Sequence, residues 1–168
     1  MTTQTSLPLI DPTESIGYLL GQTNLIKDRL LDQHLAPQGI TAAQAKVLFM
    51  IAYRGQSRGC DIGHYLGVDA STVTRMLDRL EKKGLTVRIP SPEDRRATLI
   101  DLTDEGYAIM RQSMPLAQNA LAELTRGLEP DEFAMLKQLL RKVLIGASGP
   151  HHCQHAAQAA LNHSETDN

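Results

Sequence analysis

No apolar run in this sequence approaches the ~18 residues needed to span a bilayer, so no transmembrane helix is expected. The opening stretch, "MTTQTSLPLIDP", lacks both a basic start and a long apolar centre, and no secretory signal is expected from it. Cysteine is scarce. Cys60 and Cys153 cannot build a disulfide framework, and two free thiols in a reducing cytoplasm is the simpler reading. Catalytic signatures are also missing: there is no G-x-S-x-G, no P-loop, no H-E-x-x-H and no dinucleotide fingerprint. His34 and His64 have no obvious partners in the sequence, there is no internal repeat, and neither an enzyme nor a cofactor is expected. "HHCQH", residues 151–155, carries zinc- or copper-binding atom types. Adjacent donors in a tail rarely close a tetrahedral site, so no metal is expected there.

What is present suits one globular domain or two small intimate ones: 168 residues, 42% hydrophobic and 21% charged. The net charge of −2 argues against nucleic acid as a partner, but its distribution argues the other way. Residues 70–100 hold seven basic side chains (Arg75, Arg79, Lys82, Lys83, Arg88, Arg95 and Arg96) against four acidic ones (Asp78, Glu81, Glu93 and Asp94). This +3 segment sits in a body at −5, and it marks where a phosphate backbone would dock.

Helical patterning dominates. "DPTESIGYLLGQTNLIKDRLLDQHL" places Asp11 as an N-cap with Pro12 at the first helical position and Glu14 at the third, and Ile16, Leu19, Leu20, Ile26 and Leu30 follow at helical spacing. "APQGI" breaks this helix. A second begins with a Thr41–Gln44 capping box and stops near Gly55. In "CDIGHYLGVDASTVTRMLDRLEKKGL" two short apolar stripes are separated by "GVD", with Asp69 placed to cap the second. Gly84 ends that helix, with Lys82 and Lys83 where cations suit its dipole. Two short helices joined by so tight a turn form a helix-turn-helix. "LTVRI" and "TLIDL" then alternate at period two around "PSPEDRRA", which predicts a hairpin with a basic tip. Thr103 caps a long helix that Pro115 should kink, and a last amphipathic helix runs through Phe133, Leu136, Leu140, Val143 and Leu144.

A helix-turn-helix followed directly by a two-stranded hairpin is a winged helix. Its second helix can enter a major groove and its basic tip a neighbouring minor groove. Asp69, Ala70, Ser71, Thr72, Thr74 and Arg75 make the start of that second helix small, hydroxylated and open to base edges and phosphates. Arg75 can bridge a guanine or clamp a phosphate, and Arg79 lies one turn further on. Taken singly, such residues usually begin helices and solvate surfaces. Falling together ahead of a basic hairpin, they point to DNA.

The stretch "ASTVTRMLDRLEKKGLTVRIPSPEDRRATLIDLTDEG" closely resembles the DNA-binding lobe of the MarR family of transcriptional regulators, with "DRR" followed by "LTDEG" as the most specific part. The helix order on either side also matches, over about residues 12–145. The resemblance implies a mainly α fold, a winged helix-turn-helix lobe (41–103) between N- and C-terminal dimerisation helices (12–40 and 104–145). A disordered start (1–11) and a polar, His-rich tail (146–168) complete this division. It further implies a cytoplasmic homodimer that binds a pseudo-palindromic double-stranded DNA operator, commonly as a repressor released by a small phenolic or aromatic acid. By position, Ser71, Thr72 and Arg75 match the family's major-groove contacts and Arg96 its minor-groove arginine. Asp94 resembles the acidic residue that stiffens the wing by pairing with an arginine, and Arg95 would orient the tip or hold phosphate.

Burial of the first and last helices against a second copy is the natural outlet for their apolar faces, and a dimer supplies the symmetry that paired half-sites require. Family ligands lodge between the dimerisation helices and the lobe, where Lys27, Arg29, His34 and Tyr53 are the candidates to line a cleft and meet a carboxylate. Cys60 borders the helix-turn-helix, so oxidant sensing through it is one alternative. Peroxide-sensing relatives carry their reactive cysteine in the first helix, where this chain has none. A winged-helix module that binds another protein is the other alternative, separated from a DNA binder by salt-sensitive binding to DNA.

Overall fold

Helix starts set most of the boundaries in the computed structural model, which describes residues 11–94 and 97–147. Asp11 does act as a cap, but of a single 3-10 turn (Pro12–Glu14) and not of the long helix. Ser15 is extended and interrupts the winding, and its Oγ accepts the Tyr18 N–H at 3.2 Å to start α1 (Ile16–Leu35) afresh. A second 3-10 turn at Ala36–Gln38 ends in Gly39, and the expected capping box forms in full at α2 (Ala42–Arg54). There Thr41 Oγ1 accepts the Gln44 N–H while Gln44 Oε1 accepts the Thr41 N–H. Two carboxylates of α1 hold the start of α2: Asp32 accepts the Ala42 N–H at 2.6 Å and Asp28 accepts from Lys46 Nζ at 2.7 Å. Partial burial pushes the Asp28 carboxyl up, but the Lys46 bond and the Lys27 ammonium outweigh it and hold it below its ordinary value.

The chain continues through β1 (Ser57–Arg58), α3 (Gly59–Leu66), α4 (Ala70–Lys82), β2 (Thr86–Pro90), β3 (Thr98–Leu102) and α5 (Asp104–Thr125). The expected two-stranded hairpin is one side of a three-stranded antiparallel sheet ordered β1-β3-β2, in which Ser57 pairs with Ile100 and Arg88 with the same residue from the other side. Two residues carry too little period to announce a strand, so β1 was invisible to patterning. Pro115 lies inside α5 without ending it.

The chain divides into two units, residues 1–124 and 125–168. The core of the first gathers Leu35, Val47, Leu48 and Ile51 of the first two helices, Ile62, Val73, Leu77 and Leu80 of the helix-turn-helix, and Ile100 and Leu102 of the sheet. Gly106 allows the start of α5 to pack on the connection between α4 and β2, since a Cβ there would lie 2.0 Å from the Leu85 carbonyl oxygen. The second unit contributes α6 (Pro130–Ala147), whose first turn is closed by Glu132 Oε2 accepting the Glu129 N–H at 2.9 Å. This helix runs through Gly146 and Ala147, two positions expected to begin the tail. Of the start expected to be disordered (1–11), Asp11 is instead ordered as a cap, while residues 1–10 and the polar tail from residue 148, with "HHCQH" in it, lie outside the described residues. Among the described residues no helix is long and apolar enough to cross a membrane.

Candidate nucleic-acid interface

The turn between α3 and α4 depends on two glycines. Gly67 adopts φ 68°, a left-handed conformation that side chains rarely take, and the Val68 N–H closes the helix end on the Gly63 carbonyl at 3.1 Å. A Cβ on Gly63 would come within 3.2 Å of Val73 and 3.3 Å of the Val68 carbonyl, so α3 and α4 cross at close range. Asp69 then organises the first turn of α4. One carboxylate oxygen accepts the Thr72 N–H at 2.9 Å and the Ser71 hydroxyl at 2.6 Å, and the other accepts the Thr72 hydroxyl at 2.8 Å. These bonds, that from Ser71 foremost, hold the Asp69 carboxyl well below the usual carboxylate range. Thr74 Oγ1 donates to the Ala70 carbonyl at 2.9 Å.

These bonds have a consequence for recognition. A carboxylate and a carbonyl can only accept, so Ser71, Thr72 and Thr74 each spend their hydroxyl proton inside the protein. What they present outward is lone pairs, which suit the exocyclic amino groups of adenine and cytosine. Arg75 and Arg79 are exposed on the same helix, and among the described residues no ion pair engages either of them or Lys82. With Thr72, Met76 and the start of α2, the two arginines border a cavity of about 240 Å³.

The wing is tied to this helix. Arg88 on β2 donates to Asp78 at 2.6 Å and to Glu81, two α4 residues about one turn apart. The Asp78 bond leads the causes that raise its guanidinium above its ordinary value. Toward the tip, the Ser91 N–H donates to the Ala97 carbonyl and the Ala97 N–H to the Asp94 carbonyl, both at 2.9 Å. Asp94 is exposed there. Arg95 and Arg96, the expected tip arginines, lie outside the described residues.

The four candidate effector residues are not brought together. Tyr53 borders an apolar cavity of about 440 Å³ between α2 and α5, with Phe49, Met110, Met114 and Leu121. Lys27 bonds to Asn24 and stands 3.4 Å from Asp28, His34 Nε2 lies 2.9 Å from Glu123, and Arg29 is exposed. Cys60 is exposed, with its Sγ 3.9 Å from an Asp61 carboxylate oxygen, and among the described residues no three metal-binding side chains cluster.

The MarR family model matches residues 40–98, which covers the helix-turn-helix and most of the wing. The chain is 45% identical over 130 residues to the multiple antibiotic resistance protein MarR of Escherichia coli, covering 77% of this chain and 90% of that one. It belongs to the MarR family. Members of that family are DNA-binding transcriptional regulators and not enzymes. A solved structure of a mutant MarR from E. coli complexed with operator DNA matches with a TM-score of 0.73 at 43% identity, over 80% of this chain and 99% of that chain. BpsR of Bordetella bronchiseptica, whose DNA binding is regulated by 6-hydroxynicotinic acid, matches with a TM-score of 0.73 at 28% identity, over 80% of this chain and 96% of that one. The winged helix of this MarR-family chain is therefore the expected one, with a third strand added.

Periodicity and capping found α4 and the hairpin. They missed the Arg88 bracket and the apolar cavity. An i, i+3 pair of acids, Asp78 and Glu81, facing a lone arginine just past the next turn was the available signal for the first. The cavity had none, because its walls lie far apart in sequence.

Proposed function

We propose that this chain is a repressor that binds a pseudo-palindromic operator as a homodimer and is released by a small aromatic or phenolic acid. The observation that carries the reading is the start of α4, where Arg75 and Arg79 are exposed, with no ion pair among the described residues, on the same helix as the Ser71, Thr72 and Thr74 hydroxyls, and where Arg88 brackets that helix to the wing. Ser71, Thr72, Thr74, Arg75 and Arg79 read or clamp the major groove, while Asp94, Arg95 and Arg96 serve the minor groove from the wing tip. The similarity to an E. coli MarR solved with operator DNA supports operator binding.

The segments 12–40 and 104–145 form the dimer. Ile16 is 73% exposed, Leu19 47% and Leu144 58%, faces that water disfavours and a second copy would cover. The effector's ring occupies the apolar cavity beside Tyr53, the class of ligand that acts on BpsR lending support. Such a repressor works in the cytoplasm. Footprinting on DNA flanking the chain's own gene tests the reading, with protection of a pseudo-palindrome expected and its loss on adding an aromatic acid. Uniform, sequence-independent protection at every concentration would reject it.

A further inference from the structure

Lys83 stands in the basic segment that follows α4, where a lysine is ordinarily read as a phosphate contact. Its ammonium is engaged elsewhere. Nζ donates to the Gly39 carbonyl at 2.6 Å and to Gln44 Oε1 at 3.0 Å, partners 44 and 39 residues away. Gln44 Oε1 also accepts the Thr41 N–H that completes the capping box of α2. Although Lys83 as a residue is exposed, Gln44 is only 6% exposed, so one end of this contact is fixed in the protein's interior.

The chain just beyond is held from another side. Thr103 Oγ1 donates to the Gly84 carbonyl at 2.5 Å and the Thr103 N–H to the Leu85 carbonyl at 3.2 Å. The end of α4 is thus gripped between the α1–α2 junction and the start of α5. Because Asp32 and Asp28 tie α1 to the start of α2, the same grip connects α4 to the first helix.

We propose that Lys83 is a positioning residue for DNA binding, which fixes the angle of α4 through Gln44 and the Gly39 carbonyl and does not itself touch DNA. This rests on the operator-binding reading above. Geometry gives the reason for its weight. Arg75 lies about 12 Å along the helix from Lys83, so a tilt of roughly 5° at the gripped end moves it by about 1 Å. Hydrogen bonds to base edges hold over a range of only about 0.5 Å. Contacts to phosphates on unrelated DNA adapt to such a shift because they need no fixed register.

The test compares wild type, Lys83→Met, Gln44→Met and the double variant on the footprinted site and on a scrambled duplex of equal length. Affinity is read by fluorescence anisotropy across a series of salt concentrations, with circular dichroism melts alongside. Each single variant is expected to lower affinity for the site about tenfold, and the double variant clearly less than the two losses combined, because the Lys83–Gln44 bond is lost in all three. Affinity for scrambled DNA should change less than twofold, and the slope of log affinity against log salt should stay the same. A slope flattened by about one unit in Lys83→Met would place the lysine on a phosphate and overturn the proposal. Parallel loss on both duplexes, indicating a damaged fold, would overturn it too, as would unchanged affinity for the site. Gln44→Met keeps every cation, so it decides the matter should Lys83→Met fold poorly. Wild type showing no preference for the site would instead reject the operator reading itself, whereas wild-type preference with unaffected variants rejects the positioning role alone.

Discussion

Arg75 and Asp69 are six residues apart and do opposite work at the start of α4. Asp69 accepts three hydrogen bonds from the first turn of its own helix, while Arg75 is exposed without an ion pair among the described residues. Arg75→Ala should therefore weaken operator binding by about 1–3 kcal/mol if the guanidinium reads a base. If it holds a phosphate, the loss should be similar on every sequence with a flatter salt slope, which an anisotropy titration separates. No change on any DNA would mean that α4 is not the reading helix. Asp69 makes a pH prediction. Its carboxyl is held below the ordinary value of 3.8, so the stability it contributes is fully present above that value. That contribution is lost as pH falls through the depressed folded-state value. The melting temperature of wild type should exceed that of Asp69→Ala by a constant margin from neutral pH down to about pH 4 and by less below it. A margin that widens on acidification would contradict the cap.

Elements were legible where their signals are local. The Thr41–Gln44 box, the Asp69 cap and the period-two runs around "PSPEDRRA" each lie within a few residues of what they specify, and each forms. Asp11 shows how a local signal can mislead. Asp11 and Ser15 are both good caps four residues apart, and the choice between them fell to the backbone at Ser15, which is extended. The Lys83 grip and the cavity beside Tyr53 join residues dozens of positions apart, where pattern carries no information. Gly106 sits between these cases, since "LTDEG" is a recognisable string whose glycine has a spatial cause. Gly106→Ala must displace α5 from the Leu85 carbonyl and should cost about 1–3 kcal/mol in a denaturant melt. An unchanged midpoint would mean that the helix start can shift freely. For the wing, Arg96→Ala should lower operator affinity more than Arg95→Ala, since a minor-groove arginine meets concentrated negative potential. Asp94→Ala should lower it too, although it removes a charge that DNA repels. Tighter binding by Asp94→Ala, with the two arginine variants equal in anisotropy titrations at one salt concentration, would reduce the turn to bulk charge.

At the scale of the whole molecule the parts make sense only together. A lone winged helix covers one half-site, and apolar side chains such as Ile16, Leu19 and Leu25 of α1 and Leu139, Val143 and Leu144 of α6 are exposed. The proposed pairing of two chains would answer both facts, because a second copy would cover those faces and a two-fold axis would supply the symmetry that paired half-sites require. The chain's overall charge of −2 also becomes intelligible at this scale, since only the DNA-facing segment needs to be positive. The most direct test is sedimentation of the protein with a labelled pseudo-palindromic duplex from its own promoter region and with a scrambled control. The account predicts two chains on each palindromic duplex, bound about a thousandfold or more tightly than the control. One chain per duplex, or equal affinity for the two DNAs, would contradict it.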